Sequence, residues 1–267
     1  EQPFLCYLAY NTPHSPILVP EKYYRKYADM GLEDRLAGIY GMCENIDDNV
    51  GKIVQALDET GTLENTIFIY FSDNGPNGKR FNGVLKGTKG SVHEGGVKVP
   101  CFISWPAKLE PFKCSQLAQH IDLLPTLLSL IGNVPEKYEK DINGIDLSPY
   151  LTKEKENEDR YIFSRKPWAN FDDNYHASVR NERFRLELYP EDTLLYDLQN
   201  DPGQKNDCST DYPEEKKSLT SELLKWNSYL RDDYESASEC QIGFPDQKVI
   251  RLPVQDANVS GNIEWSC

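Results

Sequence analysis

"TIFIYFSDNGPNGKR", Thr66 to Arg80, is the stretch from which the chain is best read. Six apolar or β-branched residues, the composition of a buried strand, stop at Ser72-Asp73-Asn74-Gly75. A strand ending in an acid and an amide offers one anionic and one neutral oxygen, the donor types that hold Ca²⁺ or Mg²⁺. Gly75 lets the backbone turn sharply beneath them. The same residues also suit a plain Asx-turn at a strand end, and both readings stand on this motif alone.

The residues that follow favour a ligand. From Gly75 to Pro100 the chain is glycine-rich and carries Lys79, Arg80, Lys86, Lys89 and Lys98 against one acid, Glu94. The chain as a whole has 43 acids, 29 bases and a net charge of −14, so this is a local reversal of sign. Glycines let backbone approach a ligand closely, and lysines hold an anion as point charges. A solvated basic loop is the simpler alternative. No P-loop or dinucleotide fingerprint is present. The acidic balance excludes a general nucleic-acid binder, so an anionic ligand must be met by this patch.

Upstream, the apolar positions Leu36, Ile39, Tyr40, Cys43, Ile46, Val50, Ile53, Val54 and Leu57 predict a long amphipathic helix over about 32–57, with Gly61 where a stop is expected. Pro3 to Tyr10 reads as a buried strand. "NTPHSPILVP" packs three prolines into ten residues and must be an irregular loop, with His14 between two of them. Downstream, "PCFISWP" (100–106) is a further strand, and "SQLAQHIDLLPTLLSLIG" gives two short helical pieces, Pro125 starting the second. This order predicts an α/β fold with a mixed, largely parallel sheet flanked by helices. In such sheets ligands bind beyond the carboxyl ends of the strands, where both His14 and Asp73–Asn74 fall.

After about Thr152 the texture changes. The charged "KEKENEDR" precedes short alternating runs and an amphipathic helix over 214–230, which predicts a small antiparallel sheet with one helix. The organisation expected is therefore 1–152 as core and 153–267 as an α+β subdomain ending in an extended tail. Among seven cysteines no C-x-x-C pair occurs, which excludes a zinc ribbon. Cys6, Cys43 and Cys101 lie on apolar patterns and read as small core residues; Cys208, Cys240 and Cys267 read as disulfide candidates. No apolar run approaches the ~18 residues of a membrane span. One glycosylation sequon, Asn258-Val259-Ser260, is compatible with export. His93, His120 and His176 carry less signal than His14, and no G-x-S-x-G motif points to an α/β-hydrolase.

Taken in order, "AYNTPHSP", "FSDNGPNG", "KGTKGSVHEGGVKVP", "HIDLLPTLLSLIG", "DINGIDLSPYL" and "LYDLQNDP" resemble the formylglycine-dependent sulfatases of the alkaline-phosphatase superfamily over nearly the whole chain, and the arylsulfatase-like carbohydrate sulfatases in particular. The resemblance implies that Asp73 and Asn74 are two ligands of a Ca²⁺ ion, with Mg²⁺ the less suited alternative. It implies that Lys89 contacts the sulfate ester and that His14 lies near the leaving-group oxygen as proton donor or sulfate ligand. Glu94-Gly95-Gly96 is similar to the turn that supports the lysine loop. Lys79, Arg80 and Asn82 lie where substrate-facing residues are expected, and His176 is a similar candidate at the entrance to the smaller sheet.

One part of the pattern is absent. The family's formylglycine is made from the Cys or Ser of a C/S-x-P/A-x-R motif, and no such motif occurs here. The first residues carry no Met and no signal-type region, so the chain is expected to be the C-terminal portion of a sulfatase, needing upstream residues to complete its site. The family implies an exported protein and a sulfated small molecule or glycan as substrate. Two alternatives are a non-catalytic remnant that binds sulfated glycans, and a phosphodiesterase or phosphonate hydrolase of the same superfamily. The latter enzymes carry more His and Asp ligands, and only four histidines are present.

Overall fold

The computed structural model describes residues 3–78, 80–132, 142–166 and 175–236. Lys79, Cys240, Cys267, the sequon and the proposed tail lie outside the described residues.

Helix α1 (Glu21–Ala28) packs on helix α2 (Asp34–Glu59), which realises the long apolar periodicity. The Glu33 carboxylate caps α2 by accepting from Leu36 N at 2.9 Å, and Asp34 adds negative charge to the positive end of the helix. The helix ends at Thr60, and Gly61 follows in the left-handed region at φ +66°. Ala37, Ile39, Met42 and Ile46 are buried on the first half of α2, and Tyr23 of α1 is buried and donates to Asp48 Oδ2 at 2.6 Å.

Strand β1 (Phe68–Phe71) pairs with β2 (Cys101–Ser104). Their register runs Phe68↔Ser104 to Phe71↔Cys101 and is antiparallel, because the segment between them is a returning loop rather than a crossover helix. Trp105 follows β2, buried, with its indole donating to Asn65 Oδ1 at 3.3 Å. Next come the turn His120–Asp122 and helix α4 (Leu123–Leu130), and then helix α5 (Ser148–Leu151). Asp122 is fully buried and held by Arg160 at 2.7 Å and by the backbone N–H of Ile145 at 2.9 Å.

The second sheet is a four-stranded antiparallel meander in chain order: β3 (Ile162–Lys166), β4 (His176–Arg180), β5 (Phe184–Leu188) and β6 (Thr193–Asp197). One face is a hydrophobic core with Ala177, Val179, Leu186 and Leu195 fully buried. Helix α6 (Pro213–Ser236) contributes the buried Leu219 and Leu223. The chain divides into a body, Glu1–Leu224, and a C-terminal unit from Lys225, whose described part is the end of α6. The architecture is the expected mixture of helices and strands with a small antiparallel sheet. Among the described residues both ladders are antiparallel. No helix among them is long and apolar enough to cross a membrane.

Three expectations need correction. Residues 3–10 form no strand and are exposed throughout, Leu5 at 90%. A strand needs a ladder partner, and no described strand pairs with this segment. Cys6, Cys43 and Cys101 are exposed rather than core; β2 itself has an open face, with Phe102 66% exposed. Cys208 is a free thiol, its Sγ hydrogen-bonded to the Leu195 carbonyl at 3.3 Å.

Candidate functional site

Two loops are joined by backbone hydrogen bonds. Gly75 N donates to Gly96 O and Lys89 N donates to Pro76 O, each at 2.9 Å. Gly95 and Gly96 belong to α3 (Glu94–Val97), a single helical turn. Gly75 sits so close to it that an added Cβ would lie 2.0 Å from Gly95 O. Asp73–Asn74 at the end of β1 and Lys89 in the basic loop are thus parts of one backbone assembly. The side chains of Asp73 and Lys89 both reach solvent from it.

The donors at the strand end suit a hard cation. Among the described residues Asp73 Oδ1 accepts only the local N–H of Asn74, at 2.8 Å. The Asn74 amide nitrogen is taken by Gly75 O at 3.0 Å, which leaves Asn74 Oδ1 as its acceptor. An ionised carboxylate oxygen beside an amide oxygen is the donor chemistry of Ca²⁺ or Mg²⁺. His120 Nε2 lies 2.9 Å from Ser72 O and its ring meets Phe71 edge-on, which fixes the residues leading into the pair.

The basic loop is anchored to the second sheet through buried polar groups. Glu94 receives Arg185 at 2.7 Å and Arg180 at 2.9 Å, and its backbone N–H donates to Gln204 Oε1 at 3.0 Å. Burial works to raise the Glu94 carboxyl, and the two guanidinium charges overcome it, so the group lies below the usual carboxylate range. Arg185 also donates to Val92 O and, at 2.9 Å, to Ser178 Oγ. His93 Nδ1 is hydrogen-bonded to Glu187 Oε1, which also accepts from Gln204 Nε2 at 2.6 Å. Lys86 Nζ reaches the Tyr196 hydroxyl at 3.1 Å.

The remaining sequence candidates are distributed unevenly. His14 is exposed and its Nδ1 meets Ser15 O at 2.9 Å; no hydrogen bond or ion pair among the described residues joins it to Asp73 or Lys89. Arg80 folds back on Asn77 O. Asn82 spends its amide on the Leu85 and Gly87 carbonyls, at 3.0 and 3.2 Å, and so shapes the basic loop. His176 is half-buried, stacked on Tyr189 at 4.1 Å and edge-on to His93 at 5.6 Å. Burial pushes its imidazole pKa down, against the pull of the Glu187 charge.

The anchoring residues Arg180, Arg185, Glu187 and Gln204 escape a sequence reading. The alternation in "FRLEL" normally marks one core face and one wet face. Here Phe184 to Glu187 are all buried, because Val92–Glu94 cover the charged face. The available signal is an arginine and an acid spaced two apart, Arg185 and Glu187, opposite a loop that contains a lone acid, Glu94.

Comparison with known proteins places this geometry in context. A family model described as "Sulfatase" matches residues 1–133, and one described as "N-sulphoglucosamine sulphohydrolase, C-terminal" matches residues 88–229. The uncharacterized sulfatase YdeN of Escherichia coli is 30% identical over 94% of this chain and 46% of its own length. An N-acetylgalactosamine-6-O-sulfatase of Bacteroides thetaiotaomicron is 28% identical over 84% of this chain and 47% of its own. The crystal structure of Ps i-CgsB in complex with k-i-k-neocarrahexaose superposes with a TM-score of 0.73 at 29% identity, covering 83% of this chain and 49% of that one. The chain therefore spans about half the length of the curated relatives it matches.

Proposed function

This chain belongs to the sulfatase family of the alkaline-phosphatase superfamily, and from that premise we propose that the protein hydrolyses sulfate esters of carbohydrates with Ca²⁺ held in part by Asp73 and Asn74. The observation that carries the reading is the pair of bonds Gly75–Gly96 and Lys89–Pro76. They tie the loop that carries the oxygen-donor pair to the loop that carries the lysine, and this supports the reading because a divalent ion and a sulfate need both.

The chemistry asks three things of this chain. Lys89 binds the anionic sulfate as a point charge and neutralises part of the charge that builds up as the S–O bond breaks. His14 protonates the departing alcohol oxygen: with Nδ1 on the Ser15 carbonyl, Nε2 is the nitrogen left to carry that proton. Asp73 and Asn74 orient the ion and contribute one negative charge to its site. A bound ion would supply charge stabilisation at the sulfate oxygens, and the family's formylglycine, which no residue of this chain provides, would supply the nucleophile. The chain alone is inactive on this account, because it contains no C/S-x-P/A-x-R motif. Arg80, Asn82 and His176 border the substrate, with Asn82 acting through the loop it holds. Residues 1–152 form the catalytic part and 153–267 the supporting subdomain, and the protein is exported as its family is.

The test is sulfate release by the full-length protein from a panel of sulfated oligosaccharides, run beside phosphodiester and phosphonate substrates. Turnover of the sulfated panel that needs Ca²⁺ supports the proposal. Turnover confined to the phosphorus esters, or binding of sulfated glycans without hydrolysis by metal-loaded, formylglycine-bearing protein, overturns it.

A further inference from the structure

We propose a second metal centre, formed by His93, His176 and Glu187, that takes a borderline transition ion such as Zn²⁺ rather than a hard cation. The three residues come from different parts of the chain: His93 precedes α3, His176 opens β4 and Glu187 lies in β5. Their ligand atoms all lie within 4.8 Å of one another. Two imidazoles and a carboxylate are a donor set of zinc, whereas Asp73 and Asn74 offer oxygen alone.

A second observation points to an occupant. The Nε2 atom of His176 is shielded from water and has no hydrogen-bond partner among the described residues. A buried polar nitrogen left unsatisfied is uncommon, and coordination would satisfy it. Stacking on Tyr189 and the edge contact with His93 fix the ring's orientation. Outer contacts of the kind that position metal ligands are also present. The Tyr189 hydroxyl donates to Glu187 Oε2 at 2.9 Å, and Gln204 Nε2 donates to Oε1 at 2.6 Å. Loading the ion replaces the hydrogen bond between His93 and Glu187 and releases its proton.

The experiment is a Co²⁺ titration of chelator-treated protein, followed by visible d–d absorption, with the exposed thiols Cys6, Cys43 and Cys101 alkylated beforehand. The wild type should show one tightly bound Co²⁺ of four- or five-coordinate intensity, displaced by Zn²⁺. The Asp73→Ala, Asn74→Ala double variant should keep that signal, and His176→Ala should lose it. Tyr189→Phe should weaken it by about tenfold. His93→Gln, which can still hydrogen-bond Glu187, serves as the ligand deletion if His176→Ala fails to fold. Absence of the signal in the wild type, or its survival in both histidine variants, overturns the proposal.

Discussion

The carboxylate of Glu94 and the guanidinium of Arg185 meet at 2.7 Å with side chains 3% and 2% exposed, so a desolvated ion pair ties the basic loop to the second sheet. Both charges pay a large desolvation cost, and the arrangement is favourable only while each has its partners. Arg180 at 2.9 Å and Gln204 on the backbone N–H complete the shell on the Glu94 side. The position of Lys89, five residues before Glu94, follows from this anchor.

Glu94→Ala strands two guanidinium groups and is expected to cost about 3–5 kcal/mol, read from urea unfolding. Lys98→Ala removes a partner that is 61% exposed and 3.8 Å from Glu94, and should cost less than about 1 kcal/mol. Equal effects would mean that the buried pair does not hold the loop.

Gly75→Ala places a Cβ 2.0 Å from the Gly95 carbonyl oxygen. Backbone on both sides has to move, so the expected cost is about 3 kcal/mol or more, with weaker Ca²⁺ binding. Gly51→Ala, in α2 with nothing within 4 Å of the new methyl, should stabilise by about 0.5–1 kcal/mol. Thermal midpoints of the two variants should shift in opposite directions.

Side-chain hydrogen bonding from Arg183 holds the Asp197 carboxyl down to about 2, from an ordinary value of 3.8. Between these values the unfolded chain binds the proton and the folded one does not, so stability rises with pH across the window. The contribution is complete above about pH 4 and is lost as pH falls through about 2. Asp197→Asn should remove this part of the acid limb, seen as a shallower dependence of the urea midpoint on pH than in the wild type.

Helix α2 was legible because its burial follows one face, and periodicity reports a face: 32–57 was expected and Asp34–Glu59 is found. The strands at β1 and β2 were legible from their short apolar runs bounded by turn residues, and the small second sheet from its short alternating runs. Residues 3–10 were not, since aromatic composition describes what a strand would bury and says nothing of whether a neighbour pairs with it. Asp73 and Asn74 stood out as donors from their residue types. Their union with the Lys89 loop rests on Gly75 and Gly96, which are 21 positions apart and mark the contact only by having no side chain. Charged residues that turn inward, as Arg185 and Glu187 do, contradict the usual alternation and are visible only once the covering loop is placed.

In the full-length protein, Lys89→Ala is expected to lower kcat on a sulfate ester by about 10²–10³-fold through loss of charge stabilisation. His14→Ala should lower it by about 10²–10⁴-fold, and less on aryl sulfates, whose leaving groups need no proton. A His14→Ala loss that is the same for aryl and alkyl esters would remove the proton-donor role.

The central claim is that Asp73 and Asn74 hold the ion on which sulfate-ester hydrolysis depends. Its most direct measurement is sulfate release by the chelator-treated full-length protein as Ca²⁺ is returned, in the wild type and in Asp73→Ala. The account predicts that Ca²⁺ restores wild-type turnover, and that Asp73→Ala remains folded but needs at least about tenfold more Ca²⁺ or stays inactive. Wild-type activity indifferent to chelation, or an Asp73→Ala variant with an unchanged Ca²⁺ requirement, would contradict it.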